Sequence, residues 1–369
     1  MPALDDITVL ELAFYYPGPL CGLVLSDLGA EVIKVEAPDG DPMRHYGSRD
    51  GEPIGANFKM FNRGKKSTVI DLKTGEGRRD FLTLAGTADV LLQVLRPSAM
   101  DRLGLGKDAI REASPRIVHC LLSGYGASGP YADRAGHDVN YESLAGIPGM
   151  TGTQDGELAL SGVPLADMTG ALLAAISILG ALRERDRTDL GKFIDVSLAE
   201  GAVLANALQL VGVLFPNEEP GPGTMLLNGL FPTYNLYRSR DGRWFALGAI
   251  EPKFWVEFVT AAGREDLMGL QYDPSAVEKI RELFASRDGD EWERLSREHD
   301  VCLEAVLGRD EVLSHPQHAA RAVFEQRDGS ATHVRISGLE KPEADALRTP
   351  SLGEHTEEVL ARIKKPRRS

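Results

Sequence analysis

Strands and helices alternate through the first 125 residues, and this alternation constrains the fold more than any other feature of the chain. ITVLEL (7–12) reads as a buried strand, and YPGP (16–19) stops it. LCGLVLSDLGA (20–30) has helical spacing and ends near Gly29, and EVIKVEAP (31–38) is a second strand stopped by Pro38. KSTVIDL (66–72), ADVLLQVL (88–95) and PRIVHCLLSG (115–124) read as further strands. GEGRRDFLTLAG (75–86) and GKDAIREA (106–113) read as the helices between them. Short turns joining strand, helix and strand predict βαβ units and a parallel, doubly wound sheet.

The texture changes near residue 168. MTGALLAAISILGALRER reads as one apolar helix and DVSLAEGAVLANALQLVGVLF (195–215) as a second. NEEPGPGTMLLNG (217–229) reads as a linker. TYNLYRSRDGRWFALGAI (233–250) follows as a β-hairpin around Arg240-Asp241-Gly242. Helices are expected from EPKFWVEFVTAAG to about residue 300, and a last short helix in TEEVLARIKKPRRS. With 369 residues, two domains are expected. The fold class is α/β: a Rossmann-like large domain over 1–190 completed by 316–369, a linker at 191–224, and a smaller α+β domain over 225–315.

A net charge of -14 argues against sequence-independent nucleic-acid binding and against an anionic membrane surface. The three cysteines, Cys21, Cys120 and Cys302, form no CxxC pair, so neither a disulfide framework nor a zinc site is expected. MPALDDITVLEL lacks the basic start and apolar run of a signal peptide. GALLAAISILGAL (170–182) reads as too short to span a bilayer. A cytoplasmic location is the expectation.

The short signatures of nucleotide-binding loops, dinucleotide sites, zinc proteases and serine hydrolases are absent, so an α/β fold here needs another ligand. FKMFNRGKKSTVIDLK (58–73) sets Lys59, Arg63, Lys65, Lys66 and Lys73 against one acid, Asp71. Such a segment is either a solvated surface loop or a site for phosphate oxygens, and Arg96 and Arg102 pose the same choice. Asp167 precedes a long apolar helix and suits a helix cap, or a base or nucleophile facing a cleft. Glu251 stands beside Pro252 at another helix start. His137, in the glycine-flanked AGHDVNYESLAG (135–146), is either a loop residue or a proton-transfer group.

Taken together, ELAFYYPGPLCGLVLSDLGAEVIKVEAP, NRGKKSTVIDLK and ADVLLQVLRPSAMDRLGLG resemble the family III CoA-transferase superfamily, the CaiB/BaiF group. The resemblance runs in order from about residue 5 to residue 325. GPLCGLVLSDLGA, AGHDVNY, GAIEP and VCLEAVLGRDEVLSHPQ are most similar to its α-methylacyl-CoA racemase branch. SGVPLADMTGA is closer to the transferase style, with Val163 where racemases often carry Asn. Ala37 falls where racemases carry a strand-end arginine that contacts CoA, and Lys34 is its candidate substitute.

The resemblance implies that His137 and Asp167 are the proton-transfer groups and that Glu251 orients and charges His137. It implies an interlocked homodimer, with Glu251 supplied by the other chain. It implies an acyl-CoA substrate, no prosthetic group and no metal. CoA would be held by Lys34, Arg63, Lys65, Ile70, Asp71, Leu72, Lys73, Val94, Leu95, Arg96, Arg102, Ala135, Gly136, Asp138, Asn140 and Tyr141. The acyl chain is expected near Tyr15, Tyr16, Tyr141 and 225–237.

The chemistry explains why these residue types are needed. Inverting a thioester's α-carbon requires a base on one face and an acid on the other, and histidine and carboxylate can both be tuned toward neutral pH. Backbone amides at the Asp167 helix start would hold the enolate oxygen. A CoA transferase would instead use Asp167 as the nucleophile of a mixed anhydride, leaving His137 idle. A CoA-binding protein without turnover is a third reading.

Overall fold

The computed structural model describes residues 2–47, 54–153, 155–211, 220–327, 330–336 and 348–364. They fall into two compact units. The first comprises 1–145, 163–205 and 319–369, and the second 146–162 and 206–318.

The first unit opens with β1 (Thr8–Leu12), α1 (Pro17–Asp27), β2 (Glu31–Glu36), α2 (Ala56–Asn62), β3 (Lys66–Val69), α3 (Gly75–Ala85) and β4 (Val90–Gln93). It continues with α4 (Pro97–Arg102), α5 (Lys107–Ala113), β5 (Val118–Ser123), α6 (Asp138–Leu144), α7 (Leu165–Thr188), β6 (Phe193–Ser197) and α8 (Leu198–Ala205). The six strands form one sheet in the order β3-β2-β1-β4-β5-β6. Every neighbouring pair is parallel. The chain leaves β1 toward β2 on one side and returns to β4 on the other, so the strand order reverses between β1 and β4. At such a reversal the loops diverge and open a crevice beyond the strands' carboxyl ends.

The strands are apolar because helices cover the sheet. Leu10, Ile33, Leu91, Phe81 and Ile110 are fully buried in one core cluster. Charged residues also lie inside the unit: Glu11 of β1 and Lys34 of β2 are fully buried. Lys34 Nζ lies 3.2 Å from Glu11 Oε1 and 2.9 Å from Asp41 Oδ2, and Lys65 Nζ lies 2.7 Å from Glu11 Oε2. The carbonyls of Ala13 and Pro19 and the side chain of Asn62 complete the lysines' hydrogen bonds. Two cations and two anions thus balance inside the unit. Gly22 of α1 is required by this pair, since a Cβ there would lie 1.8 Å from Glu11 Oε2.

The second unit contains α9 (Ala207–Val211), β7 (Tyr234–Arg238), β8 (Trp244–Gly248), α10 (Pro252–Ala261), α11 (Val277–Ala285), α12 (Gly289–Glu298), β9 (Leu303–Ala305) and α13 (Arg309–Ser314). Its sheet is antiparallel, in the order β7-β8-β9. Phe284 stacks on Trp292 and Tyr237 in its core. Then follow α14 (Pro316–Ala320), the hairpin β10 (Phe324–Arg327) and β11 (Ser330–Val334), and α15 (Thr356–Lys364), which packs on α3 in the first unit.

Four expectations are corrected. The first helix begins at Pro17, inside the YPGP turn, because proline suits the first helical position. The helix expected over 195–215 starts three residues later. Residues 193–197 pair with β5 as the sixth strand, and the helical run is divided into α8 and α9; residues 212–215 lie outside the described residues. The unit boundaries also differ, since 146–162 fall with the second unit and 191–205 with the first. Finally, α7 is long and apolar enough, by length and composition, to cross a membrane. In this fold one of its faces is in the core, with Ala166, Ala171, Ala174 and Ile178 fully buried, while Leu172 and Ile176 are exposed.

Candidate active site

A cleft of about 990 Å³ opens where the strand order predicts a crevice. Phe14, Tyr15 and Pro17 follow β1, Val94, Leu95 and Arg96 follow β4, Leu122–Tyr125 end β5, and Leu198 follows β6. Tyr15 has a left-handed φ of +63°, uncommon for a bulky residue and a sign of local strain at the mouth of the cleft. The far wall is the segment 132–137 with Asn140, Tyr141 and Asp167. Ser98, Ala99 and Arg102 of α4 close one side.

His137 is the residue immediately before α6. Its backbone N–H donates to Asn140 Oδ1 at 3.0 Å, so Asn140 serves the helix start and leaves the imidazole out of the capping. The His137 ring is exposed and has no hydrogen-bond partner among the described residues. The loop is pinned instead by Tyr141, whose hydroxyl donates to the Gly136 carbonyl at 2.6 Å. A side chain at Gly136 would collide with that ring, since its Cβ would lie 2.7 Å from Tyr141 Cε1.

Asp167 is the third residue of α7 rather than its cap. The first turn of α7 is capped from α6. The Leu165 N–H donates to Glu142 Oε1 at 3.1 Å, and the Asp167 N–H to Asp138 Oδ1 at 3.0 Å. The expectation that these amides hold an enolate oxygen is therefore corrected, because carboxylates already occupy them. Burial, then the charges of Asp138 and Glu142, push the Asp167 carboxyl up to about 7. Burial is also the main cause that raises Asp138 to about 6, with its hydrogen bond to the Glu142 side chain adding to the rise. Tyr16 is raised by burial and by Asp167, although it does not line the cleft.

Of the residues expected to meet CoA, the cleft gathers Val94, Leu95, Arg96, Arg102, Ala135, Gly136, Asn140 and Tyr141. Asp138 lies just behind its wall. Lys34, Arg63 and Lys65 are placed elsewhere, and the expectation for them is revised. Lys34 and Lys65 are held by Glu11, and Arg63 forms a two-pronged pair with Asp27 at 2.6 Å. Ile70 is in the core, and Asp71, Leu72 and Lys73 form the turn after β3, two strands from the reversal. At nearly 5 Å per strand, that turn is about 10 Å from β1. Glu251 is the exposed residue before α10 and belongs to the second unit, as does the 225–237 segment.

Arg134 was not anticipated. It lines the cleft with Arg96 and Arg102 and stacks on Tyr131, 3.8 Å from the ring centroid. The Arg96 guanidinium donates to the Asp133 carbonyl at 2.9 Å, tying the start of α4 to the same loop. The signal was present in the sequence, since Arg134 stands three residues before His137 in RAGH. Among the described residues, no group of three or more histidine, cysteine or carboxylate side chains could hold a metal ion.

The cleft thus combines a basic side, a free imidazole and a carboxyl whose proton is exchangeable near neutral pH. The sequence profile of CoA-transferase family III matches residues 4–356. The α-methylacyl-CoA racemase of Homo sapiens is 35% identical over 97% of this chain and 92% of its own length. The succinyl-CoA–D-citramalate CoA-transferase of Chloroflexus aurantiacus is 30% identical over 97% of this chain and 93% of its own. A CaiB/BaiF family protein from Brucella suis, of known crystal structure, superposes with a TM-score of 0.83 at 29% identity, covering 97% of this chain and 98% of that one.

Proposed function

Starting from the premise that this chain belongs to CoA-transferase family III, a family with racemase and transferase members, we propose that it racemises 2-methylacyl-CoA thioesters. His137 and Asp167 exchange the α-proton on opposite faces of an enolate. One takes the proton from carbon while the other, already protonated, returns one to the opposite side. The free enzyme recovers its starting protonation when the reaction runs back or when solvent re-equilibrates the two groups.

The observation that supports this reading best is that the His137 ring, exposed and without a hydrogen-bond partner among the described residues, and Asp167 line one cleft at the strand reversal. A carboxyl titrating at about 7 is populated in both forms at neutral pH, as a group that must act as base and acid requires. Arg96, Arg102 and Arg134 supply charge for the phosphates of CoA. The proposal includes a homodimer in which Glu251 of one protomer serves His137 of the other. Leu172 and Ile176 of α7 and Val203 and Leu204 of α8 are exposed apolar side chains that would suit such an interface.

The second reading is CoA transfer, in which Asp167 attacks the thioester carbonyl, expels CoA thiolate and forms a mixed anhydride. Asp167 in the cleft and the transferase relatives favour it. The two readings separate in D2O. A single epimer of a 2-methylacyl-CoA, incubated with the protein and no acceptor acid, is expected to gain one α-deuterium while the epimer ratio moves toward a mixture. No deuterium entry, with CoA transferred once a carboxylic acid is added, would replace the first reading with the second.

A further inference from the structure

Glu142 is a buried glutamate beneath the cleft wall, 2% exposed, and the reaction above gives it no task. It sits one helical turn after Asp138 on α6, so the two carboxyls share a face of that helix. They hydrogen-bond to each other, and each also accepts from an amide in the first turn of α7. We propose that Glu142, acting with Asp138, is a positioning residue that anchors the Asp167 turn at the cleft wall and sets negative charge beside its carboxyl.

A helix start needs acceptors, and a neutral amide or hydroxyl would suffice for that. Two acids at one helix start do more, because their charge opposes ionisation of a third carboxyl close by. The three acids share one helix start, so the repulsion raises Asp138 as well as Asp167. This agrees with the effects of Asp138 and Glu142 on Asp167, which both raise it after burial.

Other groups surround Asp167. Tyr16 stands at the start of α1, and His137 and Tyr141 belong to the α6 segment. Of the other elements packed on α7, α8 carries the exposed Glu200, and β5 and β6 carry His119, Cys120 and Asp195, none of which shifts the Asp167 carboxyl. Among the described residues, Asp138 and Glu142 are the side chains that bond to the amides of the Asp167 turn.

The inference rests on the reading of Asp167 as a proton-transfer group, but its test does not require turnover. Protein labelled with 13C at the aspartate carboxyls is titrated by NMR, with Asp167→Asn identifying the Asp167 signal. Glu142→Gln and Asp138→Asn keep an acceptor for each amide and remove a charge. Asp167 is expected to titrate near 7 in the unaltered protein, and its proton affinity to fall roughly tenfold in the variants. An unchanged Asp167 titration in both variants would overturn the proposal and leave Glu142 a helix-capping residue. If the titration moves while neither protein exchanges an α-proton, the positioning role stands and the racemase reading falls.

Discussion

Ionisation of Asp167 works against its surroundings. The folded protein raises this carboxyl from 3.8 to about 7, first by burial and then by two neighbouring acids. Because the folded state holds this proton more tightly than the unfolded chain, stability falls as pH rises from about 4 to about 7 and is level above that. At about 1.4 kcal/mol per tenfold in proton affinity, the cost at pH 8 is a few kcal/mol. Asp167→Asn removes it. The variant is expected to melt several degrees above the parent protein at pH 8 and to match it near pH 4, as thermal melts at the two pH values would show. A variant that melts lower at pH 8 would contradict this. Its place before an apolar helix marked Asp167 in the sequence as a cap or a cleft-facing acid, and the structure puts it in the first turn of α7, on the cleft. Its neighbours' role was not legible, because Asp138 and Glu142 lie more than twenty residues earlier and reach it only through packing of α6 against α7.

At the scale of elements, the basic run 58–73 shows how a charge pattern misleads. Lysines in a row usually mark a wet surface or an anion site. Here Lys65 points into the core, because β1 carries a glutamate where its neighbours are apolar. The glutamate in TVLEL was the signal, and it becomes readable only when strand order brings β1, β2 and β3 side by side. Breaking one side of such a network strands the other charges in the interior, which typically costs 3–5 kcal/mol. Glu11→Leu is therefore expected to lose about that much in denaturant unfolding, and a loss within about 1 kcal/mol would show the lysines to be satisfied without it. Among the helices between the parallel strands, α1, α3 and α5 were legible from their spacing, whereas the short α2 and α4 were not. The sixth strand was not, since FIDVS runs directly into the apolar α8 and the two look like one element until β5 is beside them.

At the scale of the whole molecule, the sheet places the chemistry. The strand order reverses between β1 and β4, and the cleft lined by His137 and Asp167 lies beyond the carboxyl ends of the strands around that point. The alternation of elements foretold the parallel sheet, and the strand order then locates the crevice. The exchange of 146–162 into the second unit could not be foretold, because unit membership is set by contacts between distant segments. The central claim is that two residues serve opposite faces of one carbon. Epimer-resolved α-deuteration of His137→Ala and Asp167→Asn tests it most directly. Each variant is expected to lose racemisation by a factor of ~10²–10⁴. Each should keep α-exchange without inversion for one epimer only, and the favoured epimer should differ between the two. Exchange of the same epimer in both variants, or full racemisation by His137→Ala, would contradict the account.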